Sequence, residues 1–364
     1  MTIMFGLIIR IVAKKTLVIF RYFGRPKSFL LLLPIVWALV AFGPTIWWLA
    51  VETSRHLLLP SPPTQSLEHY RRNRSLHYYL DDIQTLIEPS LLPCTTPDEM
   101  VVLVLVASAP LRFDHRQAIR KTWGAHLPTY FVLGLQGDNI DEQLVDNYVE
   151  GKQYSDLIVF DFYDHYQNLT LKTALMMKWT LHCCPQAQFL FKTDDDVLVN
   201  PWTLRKVLNE NEDALLLGYN KRDSYLHRDE YKKWYIPRWM LREDHVSQYL
   251  SGTGYLISGD FISKLLKNAY EVPMVNLEDV YFTYLVAHRR LGLKLAHERR
   301  LSPYKPWLKA SCLYWDLASV HSMEPDEMVA AWIKIEQYGK LDNHSDVCWF
   351  YNTYLRDFSE LALY

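Results

Sequence analysis

Phe189-Leu-Phe-Lys-Thr-Asp-Asp-Asp196 sets an apolar strand against three consecutive acids. Carboxylates crowded at the end of a buried strand repel one another and hold their protons more tightly unless a positive charge lies between them. A hard divalent cation with a phosphate behind it supplies that charge, and oxygen donors suit it. Successive side chains alternate along an extended strand, so Asp194 and Asp196 are expected on one side and Asp195 on the other. Two carboxylates on one side can hold manganese or magnesium and leave positions for phosphate oxygens and water. An EF-hand loop fits poorly, because Val197, Leu198 and Val199 stand where it needs polar ligands and a glycine turn. The triplet alone leaves open a phosphatase-type loop and an acidic turn capping the helix that follows Pro201.

The strand that delivers the acids belongs to an alternating series. Val101 to Ser108 (VVLVLVAS) is a continuous β-branched run of the kind buried on both faces of a parallel sheet. After it, helices are expected at Arg116 to Trp123, Ile140 to Tyr148 and Leu169 to His182, with strands at Tyr130 to Leu135, Leu157 to Phe162 and Phe189 to Thr193. Further strands are expected at Leu215 to Tyr219 and Gly254 to Ser258. Further helices are expected at Asp260 to Lys267, Val280 to Arg290 and Pro325 to Gln337, the last with Ser322 or Glu324 near its start. The alternation predicts an α/β fold with a mostly parallel sheet flanked by helices, and ligands in such sheets sit beyond the carboxyl ends of the strands. The triple acid occupies such an end.

The chain of 364 residues also carries an uncharged apolar stretch, Phe29 to Val51, long enough to cross a bilayer. Arg10, Lys14, Lys15, Arg21, Arg25 and Lys27 precede it with no acid among them, so the positive-inside rule places the N-terminus in the cytosol and the remainder in a lumen. The expected organisation is a basic cytosolic tail over 1–28, a transmembrane signal-anchor over 29–51, a proline-rich lumenal stem over 52–97 and a catalytic domain over 98–364. In a lumen, the five cysteines Cys94, Cys183, Cys184, Cys312 and Cys348 allow up to two disulfides with one thiol left over. Asn73, Asn168 and Asn343 head glycosylation sequons, and Asn168 also stands where it could cap the helix beginning at Leu169. A net charge of -2 and the lack of long basic runs beyond the first thirty residues give no field that would gather nucleic acid.

Seven stretches, in order, resemble the inverting glycosyltransferases of family 31, the β-1,3-galactosyl- and β-1,3-N-acetylglucosaminyltransferases. They are Arg116 to Gly124 (RQAIRKTWG), Asp161 to Thr173 (DFYDHYQNLTLKT), Phe191 to Asn200 (FKTDDDVLVN), Lys233 to Tyr235, Ser251 to Tyr255 (SGTGY), Glu278 to Tyr281 (EDVY) and His321 to Met328 (HSMEPDEM). The resemblance implies a GT-A-type nucleotide-sugar-binding fold in the Golgi lumen, a UDP-sugar donor, a glycan acceptor on glycoprotein or glycolipid, and a manganese or magnesium ion. It implies metal ligation by Asp196 and His321, a ribose or metal-shell role for Asp194 and donor contact at Asp195.

An inverting transfer needs one base opposite the departing diphosphate. The resemblance puts it at Asp279, and a carboxylate beside Glu278 and shielded by Val280 and Tyr281 is expected to hold its proton more tightly than usual. Arg116, Arg120 and Lys172 are candidates for the donor diphosphate, since guanidinium groups suit phosphate geometry. Their alternative is a solvated helix face or pairing with Asp161 or Asp164.

Trp234, Tyr235, Trp239, Tyr249 and Tyr255 are expected to face the acceptor together with Glu278, while Gly252 and Gly254 allow close backbone approach. Two departures from the family pattern fall on this side. Phe282-Thr283-Tyr284 replaces a glycine and cysteine, and Gln248-Tyr249-Leu250 replaces a proline-tyrosine pattern. UDP-N-acetylglucosamine is the alternative donor. A non-catalytic lumenal chaperone or glycan-binding protein is the alternative of another class, and a soluble metal phosphohydrolase gives no account of the anchor.

Overall fold

Val102–Ala107 is buried along its whole length, as a strand covered on both faces must be, and the rest of the sheet is built outward from it. The computed structural model describes Gly43 and residues 72–90, 101–306 and 310–339. The anchor expected at 29–51, like the tail before it, lies outside them apart from Gly43. No helix among the described residues is long and apolar enough to cross a membrane.

In chain order the elements are α1 (Leu76–Leu80), β1 (Thr85–Ile87), β2 (Val102–Ala107), α2 (Phe113–Arg120), β3 (Thr129–Leu135), α3 (Ile140–Tyr154) and β4 (Leu157–Tyr163). Next come α4 (Leu169–Cys183), β5 (Phe189–Asp194), β6 (Leu198–Val199), α5 (Pro201–Glu210), β7 (Leu216–Tyr225), β8 (His245–Ser258) and α6 (Gly259–Ala269). The π-helix α7 (Val280–Arg290), β9 (Ala296–His297), β10 (Leu301–Ser302), α8 (Ser311–Asp316), β11 (Ser319–Val320) and α9 (Pro325–Tyr338) complete the series.

One sheet of eight strands has the order β1-β4-β3-β2-β5-β8-β7-β9, and a second holds β10-β11-β6. The strands β4, β3, β2 and β5 run parallel, as the alternation predicts. Because β2 pairs with β3 on one side and β5 on the other, the chain reverses its winding there. The carboxyl ends of β2 and β5 open at that switch point, where an α/β sheet binds ligands.

Apolar side chains of α1, α4, α6 and α7 cover one face of the sheet, and those of α2, α5 and α9 cover the other. Helix α4 is apolar on nearly every side and is buried to match. At the start of α9 the capping residue is Glu324, whose carboxylate and that of Glu327 complete a reciprocal capping box.

Three differences from the sequence reading have clear physical causes. The segment 76–87, assigned to the stem, contributes α1 and the antiparallel edge strand β1, which pairs with β4. Leu76 and Leu80 are 0% exposed, and burial at roughly 1.5–3 kcal/mol each holds this helix to the domain. Both β7 and β8 run well beyond the expected ends, because their polar and glycine-bearing halves pair with each other from Asn220↔Leu250 to Tyr225↔His245. Asn168 stands at the start of α4 without capping it. Its amide donates to Tyr163 O at 2.6 Å and its oxygen accepts from Arg72.

Cys183 carries a free thiol, and Cys184 and Cys312 are disulfide-bonded.

Candidate active site

The acids at the end of β5 separate as the strand geometry predicts. Ligand atoms of Asp194, Asp196 and His321 lie within 4.8 Å of one another, and His321 Nε2 is 3.5 Å from Asp196 Oδ2. His321 arrives from far along the chain through the small sheet. Antiparallel pairing of Ser319 with Val199 and Val320 with Leu198 makes the residue after β11 meet the turn before β6. Met323 N–H donates to Asp196 O at 2.9 Å and fixes that approach. Helix α5 is capped by Asn200, whose side chain accepts from Trp202 and Thr203 N–H. The triplet is therefore free of the capping duty it could have served. Burial, and then the charge of Asp194, push the Asp196 carboxyl above its ordinary range. A divalent cation bound between these groups would relieve both effects, and two carboxylates with an imidazole form a donor set that manganese accepts.

Asp195 points the other way and is buried. Arg112 grips it, with Nη2 at 2.7 Å and Nε at 3.1 Å from Oδ1, while Ser108 Oγ donates to Oδ2 at 2.7 Å. Both oxygens are thus engaged from within the protein, so the direct donor contact expected of Asp195 gives way to a bond that holds the triplet turn. Sequence reasoning misses Arg112, whose only signal is its place after the carboxyl end of β2, four residues before Arg116.

Arg116, Arg120 and Lys172 form the layer behind Ser108. Arg116 is 1% exposed and makes a two-pronged bond to Glu150, at 2.8 and 2.6 Å. Arg120 bonds both Glu150 and Asp156. Lys172 Nζ lies 2.7 Å from Asp164 and 2.5 Å from Ser108 O. A buried guanidinium with every side taken cannot also meet a diphosphate, so Arg116 is corrected from a donor contact to a support of the β2 end. The expected pairing with Asp164 occurs for Lys172, whereas the arginines choose Glu150 and Asp156.

On the neighbouring strand β8, Tyr255 stands opposite Lys192, and Gly254 opposite Thr193. Tyr255 is 0% exposed and Glu278 5%, and the tyrosine hydroxyl donates to Glu278 Oε1. These two expected acceptor contacts face inward, because opposed residues of adjacent strands share a face and here that face is covered by α7. Glu278 is pushed up to about 7, chiefly by burial, with Lys192 opposing the shift. Asp279, half-buried at the start of α7, is also raised by burial. Its carboxylate accepts from Val280 N–H at 2.8 Å and Gly252 N–H at 3.0 Å.

Both glycines serve the interior. A Cβ on Gly252 would stand 3.1 Å from oxygens of both Glu278 and Asp279, and one on Gly254 would stand 3.1 Å from the Phe191 ring.

Trp234, 51% exposed, forms an open aromatic surface, with the His227 ring 5.4 Å away. Its side chain bonds Tyr166, whose phenol is raised by burial and by the charges of Asp279, Asp194 and Glu278. Tyr166 therefore lies on the wall between the two acid groups, with Lys233 Nζ 4.5 Å from its ring centre. Tyr235 packs partly into the core below. Trp239 is exposed, with the Arg74 guanidinium 6.0 Å from its ring centre.

The sheet thus carries at its switch point an acid cluster with the donor set for a divalent cation, flanked by a carboxylate pair of raised proton affinity, an arrangement that can hold a cation and a proton side by side. Residues 114–298 match the galactosyltransferase family profile. Mouse beta-1,3-galactosyltransferase 1 is 30% identical over 317 residues, spanning 82% of this chain and 94% of its own. Human beta-1,3-galactosyltransferase 5 is 31% identical over 246 residues, spanning 65% and 78%. Among solved structures, the galactosyltransferase LgtC in complex with donor and acceptor sugar analogs aligns over 67% of this chain and 97% of its own, at 13% identity and a TM-score of 0.33. The chain belongs to the galactosyltransferase family, the group whose motifs it resembles.

Proposed function

We propose that this enzyme moves galactose from UDP-galactose to a hydroxyl of a glycan acceptor with inversion, forming a β-1,3 linkage. We place it in the Golgi lumen on a GT-A-type fold, held by the 29–51 anchor, with residues 98–364 as the catalytic domain and α1 and β1 of the stem packed onto it. The observation that carries the reading is the convergence of Asp194, Asp196 and His321 beside a second carboxylate pair, Glu278 and Asp279, both of raised proton affinity.

Asp194, Asp196 and His321 would hold a manganese or magnesium ion. When bound, it supplies positive charge to the diphosphate as the sugar departs. The side chains then divide the remaining work. Asp279 takes the proton of the attacking hydroxyl at its carboxylate, and the two peptide N–H groups that bind it keep the oxygens oriented for that task. Arg112 and Ser108 hold Asp195, and so hold the turn that presents its two neighbours. Trp234 offers a flat apolar face on which a sugar ring can stack.

The test is to incubate the purified full-length chain with manganese, a panel of UDP-sugars and a panel of aryl glycosides, following UDP release and the product's anomeric configuration. UDP-galactose is expected to be consumed fastest, and the new linkage to be β. Faster use of UDP-N-acetylglucosamine would change the donor, and no consumption of any UDP-sugar would remove the proposal.

A further inference from the structure

Lys192 is 1% exposed, in the middle of the sheet. An ammonium out of water costs several kcal/mol unless its charge is answered. Here Nζ stands 2.8 Å from Asp194 Oδ1, 2.6 Å from Gly252 O and 3.6 Å from Glu278 Oε2. These partners come from three parts of the fold: the strand β5 itself, its antiparallel neighbour β8, and the segment that opens α7.

The peptide of Gly252 is engaged at both ends. Its carbonyl accepts from Lys192, and its own N–H donates to Asp279 Oδ2 at 3.0 Å. A continuous chain of polar contacts therefore runs from Asp194 through Lys192 and the Gly252 backbone to Asp279. The other buried cations among the described residues, Arg116 and Lys172, bond Glu150 and Asp164 instead. The absence of a side chain at residue 252 is part of the link, because a Cβ there would press on the oxygens of Glu278 and Asp279.

We infer that Lys192 is a positioning residue that fixes Asp279 relative to the metal-side carboxylate Asp194 through the Gly252 peptide, an inference that rests on the transferase reading above. Its ammonium sets the distance between the group that accepts the acceptor's proton and the group beside the departing diphosphate. It touches neither sugar. Losing it leaves the nucleotide site assembled and lets the base drift, and a displacement near 1 Å is enough to slow a reaction about 100-fold.

The experiment compares wild type, Lys192→Met, Asp279→Asn and the double variant for manganese-dependent UDP binding and for UDP release from UDP-galactose with the aryl glycoside panel. Lys192→Met is expected to keep UDP affinity within about threefold while kcat falls about 100-fold. In the double variant kcat is expected to be no lower than in Asp279→Asn alone, because Lys192 acts through that carboxylate. UDP affinity lost together with turnover, an unchanged kcat, or losses that multiply in the double variant would each overturn the inference. Should Lys192→Met fail to fold, Gly252→Ala keeps the peptide groups but sets a Cβ 3.1 Å from the Asp279 and Glu278 oxygens, so it displaces the Asp279 end of the same link and carries the same expectations for UDP affinity and kcat. Wild type that releases no UDP from any UDP-sugar is a different outcome, since it defeats the transferase reading itself.

Discussion

Nε2 of His321 stands 3.5 Å from Oδ2 of Asp196, although 125 positions separate them in the sequence. Two two-residue strands create that meeting: β11 ends one residue before His321, and β6 begins two residues after Asp196. The three-stranded sheet is thus best understood as the device that completes the metal-competent cluster.

Removing the imidazole leaves two carboxylates with less compensation. His321→Ala is expected to weaken manganese-dependent UDP binding on the order of 100-fold, and Asp196→Ala to abolish it. Isothermal titration of UDP with and without manganese measures both. UDP affinity that ignores the metal in wild type would remove the cation from the site.

Asp279→Asn keeps the side chain's shape and can still accept one peptide N–H, but it cannot take a proton at neutral pH. Turnover is expected to fall about 100- to 10,000-fold with UDP affinity unchanged. Steady-state kinetics alongside titration separates the two quantities. Equal turnover in the variant would remove the base assignment.

Glu278 gives a stability prediction with a definite sign. Its carboxyl holds a proton in the folded chain up to about pH 7, against an ordinary value of 4.5. Between those limits the folded state carries the extra proton, so stability is complete below pH 4.5 and declines as pH rises through about 7. At about 1.4 kcal/mol for each pH unit of that window, the loss reaches on the order of 3 kcal/mol. Glu278→Gln is expected to flatten this part of the curve, read from urea unfolding across the window. A wild-type profile that is already flat would show that Lys192 and Tyr255 keep this carboxylate ionised.

Arg116→Met distinguishes a support from a ligand. Breaking a buried ion pair leaves Glu150 partly uncompensated, at roughly 3–5 kcal/mol if Arg120 cannot make up the charge. The melting temperature is expected to fall while UDP affinity per folded molecule is retained. Loss of UDP affinity without loss of stability would return Arg116 to the diphosphate.

What the sequence reveals and what it hides follow from the range of the interactions. The run from Val101, the mostly apolar helix from Leu169 and the triple acid each declare themselves within a few residues, since burial on both faces and like-charge crowding are local patterns. Asp279 and His321 carry no such local sign and are placed only by their neighbouring motifs. Partner choice is hidden altogether: that Arg116 selects Glu150, or that Lys192 bridges Asp194 and Gly252, depends on where α3 and β8 come to lie. The short elements α1 and β1 are hidden for another reason. Each has too few residues to show a period, and their stabilisation comes from docking onto a sheet that already exists.

The sequon at Asn168 yields a last prediction, one that concerns biosynthesis. Its amide nitrogen, the atom to which a glycan would be attached, donates to Tyr163 O at 2.6 Å. The hydroxyl of Thr170 is committed to Val275 O at 2.7 Å, and Asn168 and Thr170 are both buried. A glycan at Asn168 would have to displace the turn before α4 and the Arg72 contact on the asparagine oxygen. Chains modified there are expected to fail folding, so the mature enzyme should carry none at this site. Peptide mapping after glycosidase treatment in heavy-oxygen water reads occupancy directly, and Asn168 should return without the label. A labelled Asn168 in active enzyme would mean that the start of α4 opens in the mature protein, and with it the wall that carries Tyr166.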